Sequence, residues 1–286
     1  MHRPAASARS FTIALSVIFL AYATARMLEI AQPPISRTAI VALDVLSAMA
    51  FALVDGARRY GLHGILVFAG ICAVVGNVVE NIGVVTGFPF GHYYFVGLMG
   101  PKLFHVPVLL GLAYIGMAYV SWVLACAIAG SRWIATPFLA AFIMTAWDLA
   151  QDPVWATVLH GWVWRDGGAW FGVPLTNYLG WLGTVFLIYV LFATYLRRQP
   201  KAVGARASVF SAVLFYSLCA AGNVAQCISH ATPVLAADPT GKLWRVEDIL
   251  HASALVSVFV MGTFAVLAWA RTRKRSSRLS PAEATD

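Results

Sequence analysis

Eight stretches of about twenty mostly apolar residues follow one another along this chain, at 10–30, 38–56, 62–86, 103–128, 133–153, 178–196, 207–229 and 249–270. A helix rising about 1.5 Å per residue needs about that many residues to cross a bilayer core. Of the 286 residues 60% are hydrophobic and 11% charged, so no polar surface remains to wrap a water-soluble core of that size. The chain therefore reads as an all-α integral membrane protein, a bundle of about eight transmembrane helices in a single domain over 1–270. A short basic tail at 271–286 follows. The second stretch carries Asp44 and the fifth ends in acids, and one re-entrant segment would reduce the count to seven. The first stretch also resembles a secretory leader, with a basic start and an Ala-rich end, but is read as a retained span.

Basic residues orient such a bundle. With the N-terminus inside, 14 of the 20 Lys and Arg fall on inner segments, among them Arg58, Arg59, Arg132, Arg197 and Arg198. Arg26, Arg37, Lys102, Arg165, Lys242 and Arg245 fall outside. This split places both termini in the cytoplasm and the protein in the cell's inner membrane, in contact with lipid. The net charge of +8 is then a topology signal, and no basic domain for nucleic acid exists. Cys72, Cys126, Cys219 and Cys227 all lie within apolar stretches without ligand spacing and read as core thiols.

Four short motifs recur in order. Glu29–Pro34 resembles Asp148–Pro153, and Arg58-Arg59 recurs as Arg197-Arg198. Gly76–Glu80 resembles Gly222–Gln226, and Lys102–Val106 resembles Lys242–Val246. A tandem 4+4 duplication is expected, with halves 10–128 and 133–270.

Ionisable groups inside a span are costly and mark function by default. Asp148, Gln151 and Asp152 share one helical face, as do Asn77, Glu80 and Asn81. Asn223, Gln226 and His230 form a third set, and Glu247, Asp248 and His251 a fourth; all four lie toward the outer leaflet and are expected to converge on one polar chamber. Each has a plainer reading. The amides serve equally as interhelical hydrogen-bond glue, Glu247 and Asp248 as first-turn acids, and Asp44 as a structural or interfacial group. Two carboxylates one turn apart in an apolar bundle, Asp148 and Asp152, are the hardest to explain as packing. Two outer loops, 87–95 and 162–181, combine aromatics with Gly and Pro, as expected of re-entrant or lid turns. Their aromatics fit interfacial anchoring, polyene stacking or cation–π shielding.

The runs ENIGVVTGFPFGHYYF (80–95), WDLAQDPVW (147–155) and WVWRDGGAWFGVPLTNYLGW (162–181) resemble the carotenoid biosynthesis membrane-protein family, which includes the carotenoid 1',2'-hydratases and the bisanhydrobacterioruberin hydratases. The resemblance implies cofactor-free, metal-free addition of water to the terminal double bond of an acyclic carotenoid, such as lycopene or a derivative. Protonating that alkene gives a tertiary cation and requires a neutral acid beside an apolar cavity; a desolvated carboxylic acid next to a second carboxylate suits the task. Asp148 and Asp152 are expected to supply the acid and its partner, with Glu80 as a further acid or base. Asn77, Asn81, Gln151, Asp166 and Asn177 are expected to bind water or substrate, and Trp147, Trp164, Trp170 and Tyr93 to shield the cation. Two alternatives remain open, an isoprenoid cyclase using the same acid and a proton-coupled lipid transporter.

Overall fold

A computed structural model of the chain describes residues 3–199, 208–229 and 234–279. His2, Lys201, Arg206, His230 and the end of the basic tail lie outside the described residues. Helices account for nearly the whole bundle: α1 (Arg3–Ala31), α2 (Arg37–Thr86), α3 (Val108–Ala129), α4 (Ala135–Pro153), α5 (Leu175–Arg198), α6 (Phe210–Ser229), α7 (Val246–Val256) and α8 (Gly262–Leu279). A π turn at Ser257–Met261 joins α7 to α8 as one rod.

The 50 residues of α2 are two arms. Gly61 reverses the chain with φ 72° and ψ 165°, a conformation open to glycine and strained for other residues. The arms return so closely that a Cβ on Gly56 would lie 2.4 Å from Ile65 Cδ1. Among the described residues six helices, counting α2 once and α7–α8 once, are long and apolar enough to cross a membrane. The protein is thus an all-α membrane bundle. α4 is not among the six, because its 19 residues include Asp148, Gln151 and Asp152. α3 is the central helix: 72% of its apolar window is buried, against 22% for α1.

The expected stretch at 103–128 begins later than its hydropathy suggests. Lys102–Leu103 and Val106–Pro107 (β2 and β3) form a tight hairpin, and the helix starts only after Pro107, whose ring fixes the entry angle. The two aromatic loops are not independent of each other. They pair with each other as a two-stranded ribbon of β1 (Tyr93–Phe95) and β4 (Trp162–Trp164), with Tyr93 opposite Trp164. A third hairpin, β5 (Leu235–Ala237) with β6 (Leu243–Arg245), leads into α7. Gly167 and Gly172 approach Asp238 on that hairpin, so the connections gather into one cap over one end of the bundle. At the other end Arg59 reaches the Ser208 carbonyl at 3.3 Å and Ser211 reaches Asp55 at 3.0 Å.

Candidate active site

The site lies just beneath the cap, where α4 carries two carboxylates one turn apart. Asp148 and Asp152 are each 2% exposed. Helical spacing aims both at α5, whose first turn begins after Pro174 and supplies Asn177. The Asn177 side-chain amide donates to Asp148 at 3.4 Å and also to Asp152. None of the ion pairs among the described residues involves Asp148, Asp152 or Glu80. Trp147 and Trp181 stand over the pair, edge to face with centroids 6.4 Å apart. Trp181 is itself fixed by parallel stacking on Tyr114, at 4.6 Å and 7°.

Glu80 comes from the second arm of α2. Two phenols hold its carboxyl: Tyr93 donates at 2.5 Å and Tyr114 at 2.7 Å. Tyr93 is set in place by the ribbon, since its strand partner Trp164 is anchored through Nε1 to the Phe90 carbonyl at 3.0 Å. Glu80, Tyr93, Asp152 and Asn177 line one small cavity. That cavity shares Asp152, Trp162 and Trp181 with a second chamber, bounded by Trp147, Asp148, Gln151 and Asp44. The second chamber has about 50 Å³ of room, enough for about three or four water molecules at ~15 Å³ each.

Arg26, Gln151 and Trp155 belong both to this chamber and to a groove of about 240 Å³ that opens to the outside between α1, α2 and α4. Arg26 donates to Glu29 at 2.5 Å and to Asn223 at 2.8 Å; Gln151 donates to the same Asn223 oxygen at 3.1 Å, and Asn223 donates to Ser257 at 2.8 Å. Gly222 makes room for the guanidinium: a Cβ there would sit 2.5 Å from Arg26 Nε. Arg26 Nε, Glu29 Oε1 and Asp44 Oδ1 are buried without a protein partner, which suits a wetted passage.

A family model for carotenoid biosynthesis proteins matches residues 38–241. The chain belongs to the carotenoid biosynthesis protein family. No curated protein and no solved structure matches it. A carotenoid biosynthesis protein acts in that pathway on a carotenoid, and the β1–β4 ribbon and all three buried acids of the site fall within the matched residues.

The structure brings Asp148, Asp152, Glu80, Asn177, Tyr93, Trp147, Gln151 and Trp164 to these connected cavities. Asn77 and Asn81 are elsewhere. Asn81 donates to the Asn77 carbonyl at 2.8 Å and accepts from the His105 amide at 3.0 Å, beside an open hollow on the outer side of α2. The spacing of Glu80 and Asn81 at i+3 and i+4 from Asn77 is real, but the helix turns its buried face, with Gly76, Glu80 and Gly83, away from both asparagines. Asp166 is also remote: it is exposed at the tip of the ribbon, 3.2 Å from His92. Trp170 braces α4 from outside the cavities by donating to the Leu149 carbonyl at 3.2 Å.

The expected convergence of four polar sets is likewise corrected. Glu247 and Asp248 pair with Arg245 at the surface, where first-turn acids are stable beside the helix dipole, and His251 is exposed. Asn223 and Gln226 do reach the passage, and Gln226 lines the groove opposite Glu29 and Gln32. Sequence reasoning missed Tyr114, Trp181 and Arg26 as site residues and took Asp44 as a lone group. Arg26 was expected at the outer boundary, yet it is 6% exposed within α1. The tyrosine and tryptophan lie in strongly apolar helices and carry no charge to flag them. Among the described residues no group of three or more His, Cys, Asp and Glu side chains is placed to hold a metal ion.

Proposed function

We propose that this protein is a carotenoid hydratase that adds water across the terminal carbon–carbon double bond of an acyclic carotenoid. The observation that carries the reading is the Asp148–Asp152 pair: two buried carboxyls with no ion-pair partner among the described residues, one bridging amide, and an aromatic chamber that adjoins an open groove. Like charges this close in a buried site are best accommodated when the pair holds one proton between them. That proton goes to the less substituted alkene carbon, leaving a tertiary cation facing Trp147 and Trp181, whose ring faces attract positive charge. The other carboxylate and Asn177 orient a water molecule. Its oxygen forms the new carbon–oxygen bond, and its released proton restores the pair, so the sum is alkene plus water to tertiary alcohol. Glu80, held by Tyr93 and Tyr114, faces Asp152 across the small cavity and acts as the reserve base.

In the described conformation the chamber is sized for water, so entry of the alkene end requires Trp147 and Trp181 to swing aside. The basic ends of the helices face the cytoplasm in this reading, with both termini inside and the site toward the outer leaflet of the inner membrane. Expressing the chain in lycopene-producing cells that lack hydratases tests the reaction. Pigment heavier by one water per modified end is the expected product. A product of unchanged mass with a new ring would assign a cyclase instead, and unmodified lycopene would leave the protein without this activity.

A further inference from the structure

At the end of the bundle opposite the carboxylates, a cavity of about 770 Å³ opens between the turn of α2, the end of α3, the start of α4 and the end of α5. Arg59, Arg132 and Arg197 all line it. We infer that this cavity is a binding site for an anionic phospholipid, its phosphodiester held by these three arginines and the first part of an acyl chain lying along the deeper wall.

Among the described residues the charge around the cavity is unbalanced. The acid packed against Arg59 is Asp55, and its carboxylate is already engaged by Tyr119 at 2.5 Å and Ser211 at 3.0 Å. Arg59 holds its own partners loosely, at 3.5 Å to Asp55, 3.4 Å to the Tyr119 hydroxyl and 3.3 Å to the Ser208 carbonyl, so its donors have capacity for a stronger acceptor. Arg132 and Arg197 form no ion pair among the described residues, and Arg197 lies over the Trp133 ring at 5.0 Å. Guanidinium groups match phosphate oxygens in planar, two-pronged contacts.

Behind the arginines the wall turns apolar, with Trp122, Val123, Cys126 and Leu196. A free phosphate would leave that wall wet, and a zwitterionic headgroup would leave the excess positive charge unanswered. A charged headgroup with a hydrocarbon tail satisfies both. The place is also right: basic pockets between helices at the cytoplasmic end are where anionic headgroups bind.

The purified full chain, stripped of lipid and offered equal amounts of phosphatidylglycerol and phosphatidylcholine, tests this by native mass spectrometry. The wild type should retain phosphatidylglycerol over phosphatidylcholine by roughly tenfold or more. The R59Q/R197Q variant should approach parity, and R59K/R197K should keep only part of the preference, because the charge remains but the two-pronged contact is lost. R197Q alone, at an exposed position, should lower the preference severalfold with unchanged helix content, which separates the effect from misfolding. Equal retention of the two lipids by the wild type, or undiminished preference in R59Q/R197Q, would overturn the inference. So would displacement of the lipid by millimolar inorganic phosphate, which would indicate a soluble-anion site.

Discussion

The Arg26 guanidinium donates to the Asn223 side-chain oxygen at 2.8 Å, joining two residues 197 positions apart in the chain. This contact ties α1 to α6 at the inner end of the groove. Removing one member of a buried charged pair leaves the other uncompensated. Arg26→Leu, which abandons Glu29 in the interior, should therefore destabilise the bundle by about 3–5 kcal/mol. Asn223→Leu, which removes one hydrogen bond from the guanidinium and two uncharged ones but leaves the Arg26–Glu29 pair intact, should cost about 1–3 kcal/mol. Denaturant unfolding in detergent would check the order, and a smaller loss in the arginine variant would show that Arg26 is not the anchor.

Asp148→Asn and Asp152→Asn preserve shape and hydrogen-bonding capacity while removing the acid. Each should lower product formation by roughly 10²–10⁴-fold, the usual contribution of a positioned acid or base. The protein should still accumulate in membranes. Pigment extraction against an immunoblot of the membrane fraction would compare the two, and full activity in both variants would remove these residues from the reaction.

Glu80 depends on two phenols, so Tyr93→Phe and Tyr114→Phe should each weaken turnover by roughly tenfold, equivalent to one lost hydrogen bond of about 1.4 kcal/mol. Because both donate to the same carboxyl, the double variant should depart from additivity by about 0.5–3 kcal/mol. Additive losses would mean that the two tyrosines act independently of Glu80.

The β5–β6 hairpin supplies a pH test outside the membrane. Burial alone would raise the Asp238 carboxyl, but hydrogen bonds from Thr240, Trp244 and the Lys242 amide outweigh it and hold the group below its ordinary range. A lowered folded value means that the ionised form stabilises the hairpin above the unfolded value near 4, and that this contribution disappears as pH falls through the folded value. Protection of the hairpin amides against hydrogen exchange, taken relative to the intrinsic rate at each pH, should thus hold at neutral pH and fall only in acid. Asp238→Asn should remove that pH dependence, and an unchanged acid profile in the variant would place its cause elsewhere.

Much of this architecture was legible because membrane helices announce themselves through runs of apolar residues. Gly61 was hidden only in the sense that hydropathy cannot distinguish a hairpin turn from a kink. The Asp148 and Asp152 face followed from helical spacing alone, but the same spacing misled at Asn77 and Asn81. Two neighbouring groups on a helix can still fall on opposite sides of the boundary between buried and exposed surface. The ribbon between Tyr93 and Trp164 depends on register between segments far apart in sequence, and no local pattern encodes such a partner. Arg26 turns inward because Gly222 on another helix leaves space for it, a relationship set by packing rather than by either segment alone.

Turnover of lycopene by membranes containing the protein, in water enriched with oxygen-18, bears most directly on the chemistry assigned to the buried aspartates. Hydration predicts one labelled hydroxyl for each modified end, with the amount of labelled product falling sharply when Asp148 or Asp152 becomes asparagine. A wild-type product that carries no solvent oxygen would contradict it.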